Sequence, residues 1–150
     1  MVGGFYCVVR GKPASGQKNL IYKNKKTKKS FVVTKDATDM AWFNHVRIRA
    51  SQAWGDTELM EGALELSVNY YRPYPQSFSL KKKRAALAGH VRPITRPDLD
   101  NYTKVLCDAL NDIVYKDDAQ IVDMNLSKRY ADSFYTEILI THVEQMDVLD

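Results

Sequence analysis

Cysteine is scarce: the chain of 150 residues has two, Cys7 and Cys107. They stand far apart and outside any CxxC spacing. That excludes a disulfide framework and a zinc knuckle, and both read as reduced core residues of a cytoplasmic protein. No apolar run approaches the roughly 20 residues needed to span a bilayer, so no membrane-spanning helix is expected. The opening Met1-Val2-Gly3-Gly4-Phe5-Tyr6-Cys7 lacks a basic start followed by a long apolar stretch, so no secretory leader is expected. Internal repeats and low-complexity linkers are missing. So are GxSxG, a Walker-type glycine loop and GxGxxG, which removes the usual signatures of acyl transfer and nucleotide binding. The three histidines, His45, His90 and His142, show no metal-ligand spacing.

What is present suits one globular domain over residues 1–150. Hydrophobic residues make up 45% and charged residues 27%, enough of the former to form a core. The net charge of +4 is unevenly spread. Residues 1–35 hold nine Lys/Arg and no acid, residues 36–100 nine basic and eight acidic, and residues 101–150 four basic and ten acidic. A basic first third suggests a polyanionic partner, although a charge run alone is more often a solvated face. Acids held near a polyanion require a cation between them.

Phe5–Val9 reads as a short buried strand ended by Gly11-Lys12-Pro13. Residues 12–30 are a polar, basic loop or exposed hairpin, with Phe31-Val32-Val33 as a short strand in it. From Asp36 to Trp54 the pattern is helical, with Met40, Phe43, Ala50 and Trp54 on one side and Thr34 or Asp36 as cap. His45 reads as a surface or packing residue. Residues 63–70 alternate as a strand with one face buried, ended by Arg72-Pro73-Tyr74-Pro75. Ser79 precedes a short basic helix, Leu80 to Ala88, that closes near Gly89. A stripe of Leu99, Tyr102, Leu106, Ala109, Leu110 and Ile113 marks the next helix. Gln120–Tyr130 and Phe134–Val143 read as two strands.

The chemistry gathers around that last helix. Asp98 and Asp100 flank Leu99 at its start, where either can cap it and both meet its positive end. Lys104 lies one turn past Asp100 on the same side. Asp117-Asp118 follows a passage that can return the chain beside the helix, so one of the two can complete a three-carboxylate cluster. Such a cluster resists full ionisation unless a cation joins it. Ligands that are all oxygen favour Mg²⁺ or Mn²⁺ over zinc. Alone, each motif is more simply a cap and a turn; together with Lys104 and the basic first third they point to phosphodiester chemistry.

The string Arg96-Pro97-Asp98-Leu99-Asp100-Asn101, then Lys104, then Asp108-Ala109-Leu110-Asn111, then Tyr115-x-Asp117-Asp118-Ala119-Gln120-Ile121-Val122, resembles the RusA family of Holliday junction resolvases. These are small bacterial, phage and prophage endonucleases. The likeness is dense over residues 96–123 and looser over Ser79 to Arg84. It implies a homodimeric, Mg²⁺-dependent enzyme, with Mn²⁺ as a possible substitute, that nicks four-way DNA junctions in symmetric pairs during recombination and repair. It implies metal ligands at Asp98, Asp100 and Asp118, an essential Lys104, and an assisting or turn-shaping Asp117. Asp108 is read as a helix-face residue. Many members have Gly after the Asn at position 111; here Asp112 stands there, and Asn111 or Asp112 is expected to take the left-handed conformation.

The expected fold is α+β, a small mixed sheet with helices packed against it, in the order β, basic loop, α, β, short α, α, β, β. Lys25, Lys26, Lys28, Lys29, Lys81, Lys82, Lys83, Arg84 and Arg96 are the expected DNA-binding residues. Two other readings remain open from the residues. One is a non-catalytic nucleic-acid-binding module; the other is a metal nuclease selective for flaps or forks.

Overall fold

The computed structural model describes residues 3–14, 20–23, 30–33 and 37–146. Lys25, Lys26, Lys28, Lys29 and the expected caps Thr34 and Asp36 lie outside the described residues. In chain order the elements are β1 (Phe5–Arg10), β2 (Leu20–Lys23), β3 (Ser30–Val33), α1 (Ala37–Trp54), β4 (Leu64–Pro73), α2 (Leu80–Leu87) and α3 (Leu99–Leu110). A single 3₁₀ turn (Asp118–Gln120), β5 (Ile121–Ala131) and β6 (Tyr135–His142) follow. Four strands form one sheet in the order β1-β6-β4-β5. β5 runs parallel to β4, and the other pairings are antiparallel. The mixed sheet and the α+β class are those expected. Within the basic first third, β2 and β3 pair as an antiparallel hairpin.

Period-two patterning builds the sheet. Leu64, Leu66, Val68 and Tyr70 of β4 are buried while the residues between them are half-buried. Phe5, Cys7 and Val9 of β1 and Ile138 and Ile140 of β6 continue that core face. β4 runs on to Pro73 rather than stopping before Arg72. Its last residue is the proline, a place where a missing N–H is tolerated. On the opposite face the chemistry is polar: Glu137 accepts hydrogen bonds from Tyr6 Oη at 2.8 Å and Asn69 Nδ2 at 2.9 Å.

α1 and α3 pack on each other, α1 against β1 and α3 against β5. The buried line of α1 is Trp42, Val46, Ala50 and Trp54. This corrects the expected stripe, because Met40 is 44% exposed. Residues four apart stack on one face, and Trp42 with Val46 has more apolar surface to bury than Met40. Trp54 meets Phe5 edge-on, with ring centroids 5.7 Å apart. α3 buries Tyr102, Val105, Leu106, Cys107, Ala109 and Leu110, a broader stripe than expected, with Leu99 and Ile113 half-buried against it. α2 begins at Ser79, whose Oγ accepts from Lys82 N at 3.2 Å, and packs against β5. Cys7 and Cys107 are buried and free, as expected. Burial pushes both thiols up, Cys107 to about 12, so neither is a ready nucleophile.

Candidate active site

The segment entering α3 has no regular structure and is held by cations of the parallel strand pair. Lys128 Nζ donates to the carbonyls of Thr95 at 2.8 Å and Pro97 at 3.3 Å. Arg72 Nη1 donates to Thr95 Oγ1 at 3.0 Å. These bonds deliver Asp98 to the helix start. The first turn is then locked from below. Thr103 Oγ1 donates its proton to Leu99 O at 2.7 Å, so at 2.9 Å Tyr70 Oη donates to Thr103 Oγ1. Burial raises the Tyr70 pKa, which keeps this hydroxyl a donor.

Asp98 is the N-cap residue of α3, with extended backbone (φ −73°, ψ 154°), yet its side chain makes no capping bond. Both of its oxygens are left for another partner. Asp100 follows in the first turn. Asp100, Lys104, Asp108 and Asn111 recur at helical spacing and share the face opposite the core stripe. Asp98, Asp100 and Lys104 are exposed, and none of their side chains makes a hydrogen bond or ion pair among the described residues. An intrahelical Asp100–Lys104 ion pair, the plainest use of that spacing, is therefore not formed.

The exit from α3 is built to turn the chain back. Asp112 takes the left-handed conformation (φ 64°), as expected for this position or its neighbour. Its N–H donates to Tyr115 O at 2.7 Å. The buried Tyr115 Oη in turn donates to Cys107 O at 2.8 Å. Arg47 Nη1 donates to the carbonyls of Ala109 and Asn111, both at 3.1 Å, satisfying acceptors the helix end leaves open.

The Asp117-Asp118 turn lies just beyond. Asp117 Oδ1 accepts from Ala119 N at 2.9 Å, and Gln120 Oε1 accepts from the N–H groups of Lys116 and Asp117, each at 3.1 Å. Gln120 Nε2 donates to Met60 O at 3.0 Å and Gly62 O at 3.1 Å. Asp118 N donates to Asn111 Oδ1 at 2.9 Å. The two carboxyls titrate apart. Partial burial, then the hydrogen bond with Asp117 and the charge of Asp108, raise Asp118. The Ala119 N–H, then the bond with Asp118, lower Asp117.

The chain thus does return beside α3, but at the far end of the helix. Asp118 is moored to Asn111 and feels Asp108, while Asp98 and Asp100 occupy the first turn. From Asp100 to Asp108 is eight residues, about 12 Å of helix axis. The carboxylates form two groups along one face, with Lys104 midway. Among the described residues no three His, Cys, Asp or Glu side chains converge to hold one ion. The donor set nevertheless fits a hard divalent cation. It is all oxygen, and the unpaired oxygens of Asp98 and Asp100 supply the one or two carboxylates that Mg²⁺ takes alongside water and phosphate.

Of the basic residues, Lys81, Lys82, Arg84 and Arg96 are exposed and Lys83 is half-buried. Aromatic rings hold two of the ammonium groups: Lys82 Nζ lies 4.3 Å from the Phe78 ring centroid and Lys83 Nζ 5.5 Å from that of Tyr74. Asn111 and Gln120 are structural ties of the site that no pattern in the sequence marks, although both sit inside the motif of residues 96–122. Arg47, Arg72 and Lys128 carried no local signal at all, since their acceptors lie far away in sequence.

The family profile described as Endodeoxyribonuclease RusA matches residues 11–141. YqaN of Bacillus subtilis (strain 168), itself described as an uncharacterized protein, is 44% identical over 101 residues, covering 66% of this chain and 70% of its own length. The profile match runs from before β2 through most of β6 and includes every carboxylate of the α3 face and of the turn beside it. On that match, the chain belongs to the RusA endodeoxyribonuclease family.

Proposed function

We propose that the protein resolves four-way DNA junctions by paired symmetric nicks, in recombination and repair, using Mg²⁺ or in its place Mn²⁺. The observation that carries this reading is the exposed face of α3. There Asp100 and, one turn on, Lys104 carry unpaired side-chain charges, and the uncapped carboxylate of Asp98 stands just before them at the helix start. Unpaired charges of both signs so placed are wasted in folding, and suit a ligand that brings phosphate oxygens and a cation.

Asp98 and Asp100 at the start of α3, and Asp118 beside its far end, are the proposed metal-binding carboxylates; a metal held by either group would neutralise phosphate charge and lower the pKa of a coordinated water. Lys104 donates to a non-bridging oxygen of the scissile phosphate and stabilises the negative charge that grows there. Asp117, whose carboxyl the Ala119 N–H holds below the usual carboxylate range, adjoins Asp118 and assists it. Arg96, two residues before Asp98, and Lys81, Lys82, Lys83 and Arg84 grip the flanking phosphates, as do Lys25, Lys26, Lys28 and Lys29. The junction has approximate two-fold symmetry, so a C2 homodimer presents two matched sites to it. A cytoplasmic, bacterial or phage-encoded setting follows from such a substrate.

The test is cleavage of labelled four-way junction, fork and linear duplex, with and without Mg²⁺. Metal-dependent, symmetric cutting of the junction alone supports the proposal. Equal cutting of forks and junctions supports a flap or fork nuclease instead. Tight binding with no cutting under any metal supports a binding module.

A further inference from the structure

Two amide side chains moor the Asp117-Asp118 turn from opposite sides. Gln120 ties it to the Met60 and Gly62 carbonyls ahead of β4, hence to the sheet. Asn111 ties it to α3, the helix that carries Asp100, Lys104 and Asp108. Neither the backbone nor the helix end explains an asparagine at 111. Its φ of −59° and ψ of 134° suit any L-residue. The left-handed position belongs to Asp112, and the open carbonyls of the helix end are met by Arg47. The asparagine side chain is spent instead on the N–H of Asp118, the first residue of the 3₁₀ turn, a donor with no acceptor inside the turn itself.

We propose that Asn111 is a positioning residue for Asp118: through the Asp118 N–H it sets where that carboxylate stands relative to the groups on the face of α3. The proposal rests on the reading of Asp118 as a metal ligand. Without the Asn111 acceptor, the turn keeps its Gln120 tie to the sheet but loses its direct bond to the helix. Asp118 then presents its carboxylate over a range of positions, and ion binding weakens. Partners that orient a metal ligand typically change metal affinity or activity by about 10–100-fold when removed.

The experiment uses the full chain and measures Mn²⁺ affinity by titration, alongside single-turnover cleavage and hydrogen exchange of the Asp118 amide. Asn111→Ala should expose that amide to exchange and raise the Mn²⁺ Kd by about tenfold or more. Asn111→Asp keeps an acceptor oxygen and should restore both protection and affinity to within about threefold of the original, well inside that range. Because Asn111 acts through Asp118, adding Asn111→Ala to Asp118→Asn should weaken Mn²⁺ binding no further than Asp118→Asn alone. A purely structural asparagine would lower the melting temperature yet leave the Kd of the folded protein unmoved. An unchanged Kd in Asn111→Ala, or losses that multiply in the double variant, overturns the proposal while leaving Asp118 as a ligand. Wild-type affinity in Asp118→Asn, or no Mn²⁺ binding by the unsubstituted protein, overturns the ligand reading and this proposal with it.

Discussion

Replacing Lys104 by alanine separates catalysis from stability, because the structure gives that lysine nothing else to do. Its side chain is exposed and makes no hydrogen bond or ion pair among the described residues, so its loss should change folding by no more than about 0.5 kcal/mol. Alanine is at least as good a helix former. Asp100 and Asp108 each lie four residues away, about 6 Å along the axis. At that distance in water, an ammonium offsets each carboxylate by about 0.7 kcal/mol. Since that charge competes with a bound cation, metal binding should tighten by about threefold per carboxylate it relieves. Cleavage should move the other way. Losing one preorganised donor to the charge that develops in the transition state costs about 10²–10³ in rate. Lys104→Arg should recover only part, since a planar guanidinium replaces a compact ammonium poorly at close quarters. The assay is single-turnover cutting of a four-way junction, with junction affinity measured in Ca²⁺. Cutting by Lys104→Ala within about threefold of the original rate, far short of the loss a catalytic donor predicts, would place the lysine outside the site.

Asn in place of Asp98, Asp100 or Asp118 should abolish cutting and retain junction binding, as read by gel shift in Ca²⁺. Near-normal cutting by any one of them under saturating Mg²⁺ removes that residue from the site. With the metal chelated, Asp118→Asn should unfold at higher urea than the original at pH 7. The folded protein raises the pKa of Asp118, so ionisation there opposes folding above that pKa, and the gain should vanish as pH falls below the unfolded value. A gain that persists at low pH would refute this cause. At position 112, Asp112→Gly should hold or slightly raise stability, whereas Asp112→Val should lower it by about 1–2 kcal/mol, the cost of forcing a bulky residue into the left-handed region. Equal urea midpoints for the two would contradict the role of that turn.

Local pattern carried most of the fold. The strands β1, β4 and β6 alternate cleanly, and Ser79 announces α2 by supplying its cap. What failed was a choice among competing apolar faces. α1 has apolar or aromatic residues around much of its circumference, and only the position of the sheet decides that Val46 lies under it while Ile48 is left 57% exposed. The strand order was also out of reach. Nothing local says that β6 enters between β1 and β4, or that β5 runs parallel at the edge, since those pairings join segments many residues apart.

The site divides along the same line. Asp98, Asp100 and Lys104 are legible because charge at fixed helical spacing has few other uses, and the structure leaves all three unspent. Their supports are neutral or distant. Thr103 and Tyr70 lock the first turn through one shared hydroxyl, Lys128 reaches from β5 to the carbonyls before Asp98, and Gln120 spans from the turn to Met60. In a sequence each of these is an ordinary helix, strand or turn residue. Its role exists only once the chain has folded and supplied the acceptor. Hence a motif can name the reacting groups while remaining silent on what aims them. It also follows that the two sets respond differently to substitution: the exposed charges can be removed without unfolding the chain, whereas losing one side of the buried Tyr70–Thr103 bond leaves an unpaired polar atom behind, at about 1–3 kcal/mol.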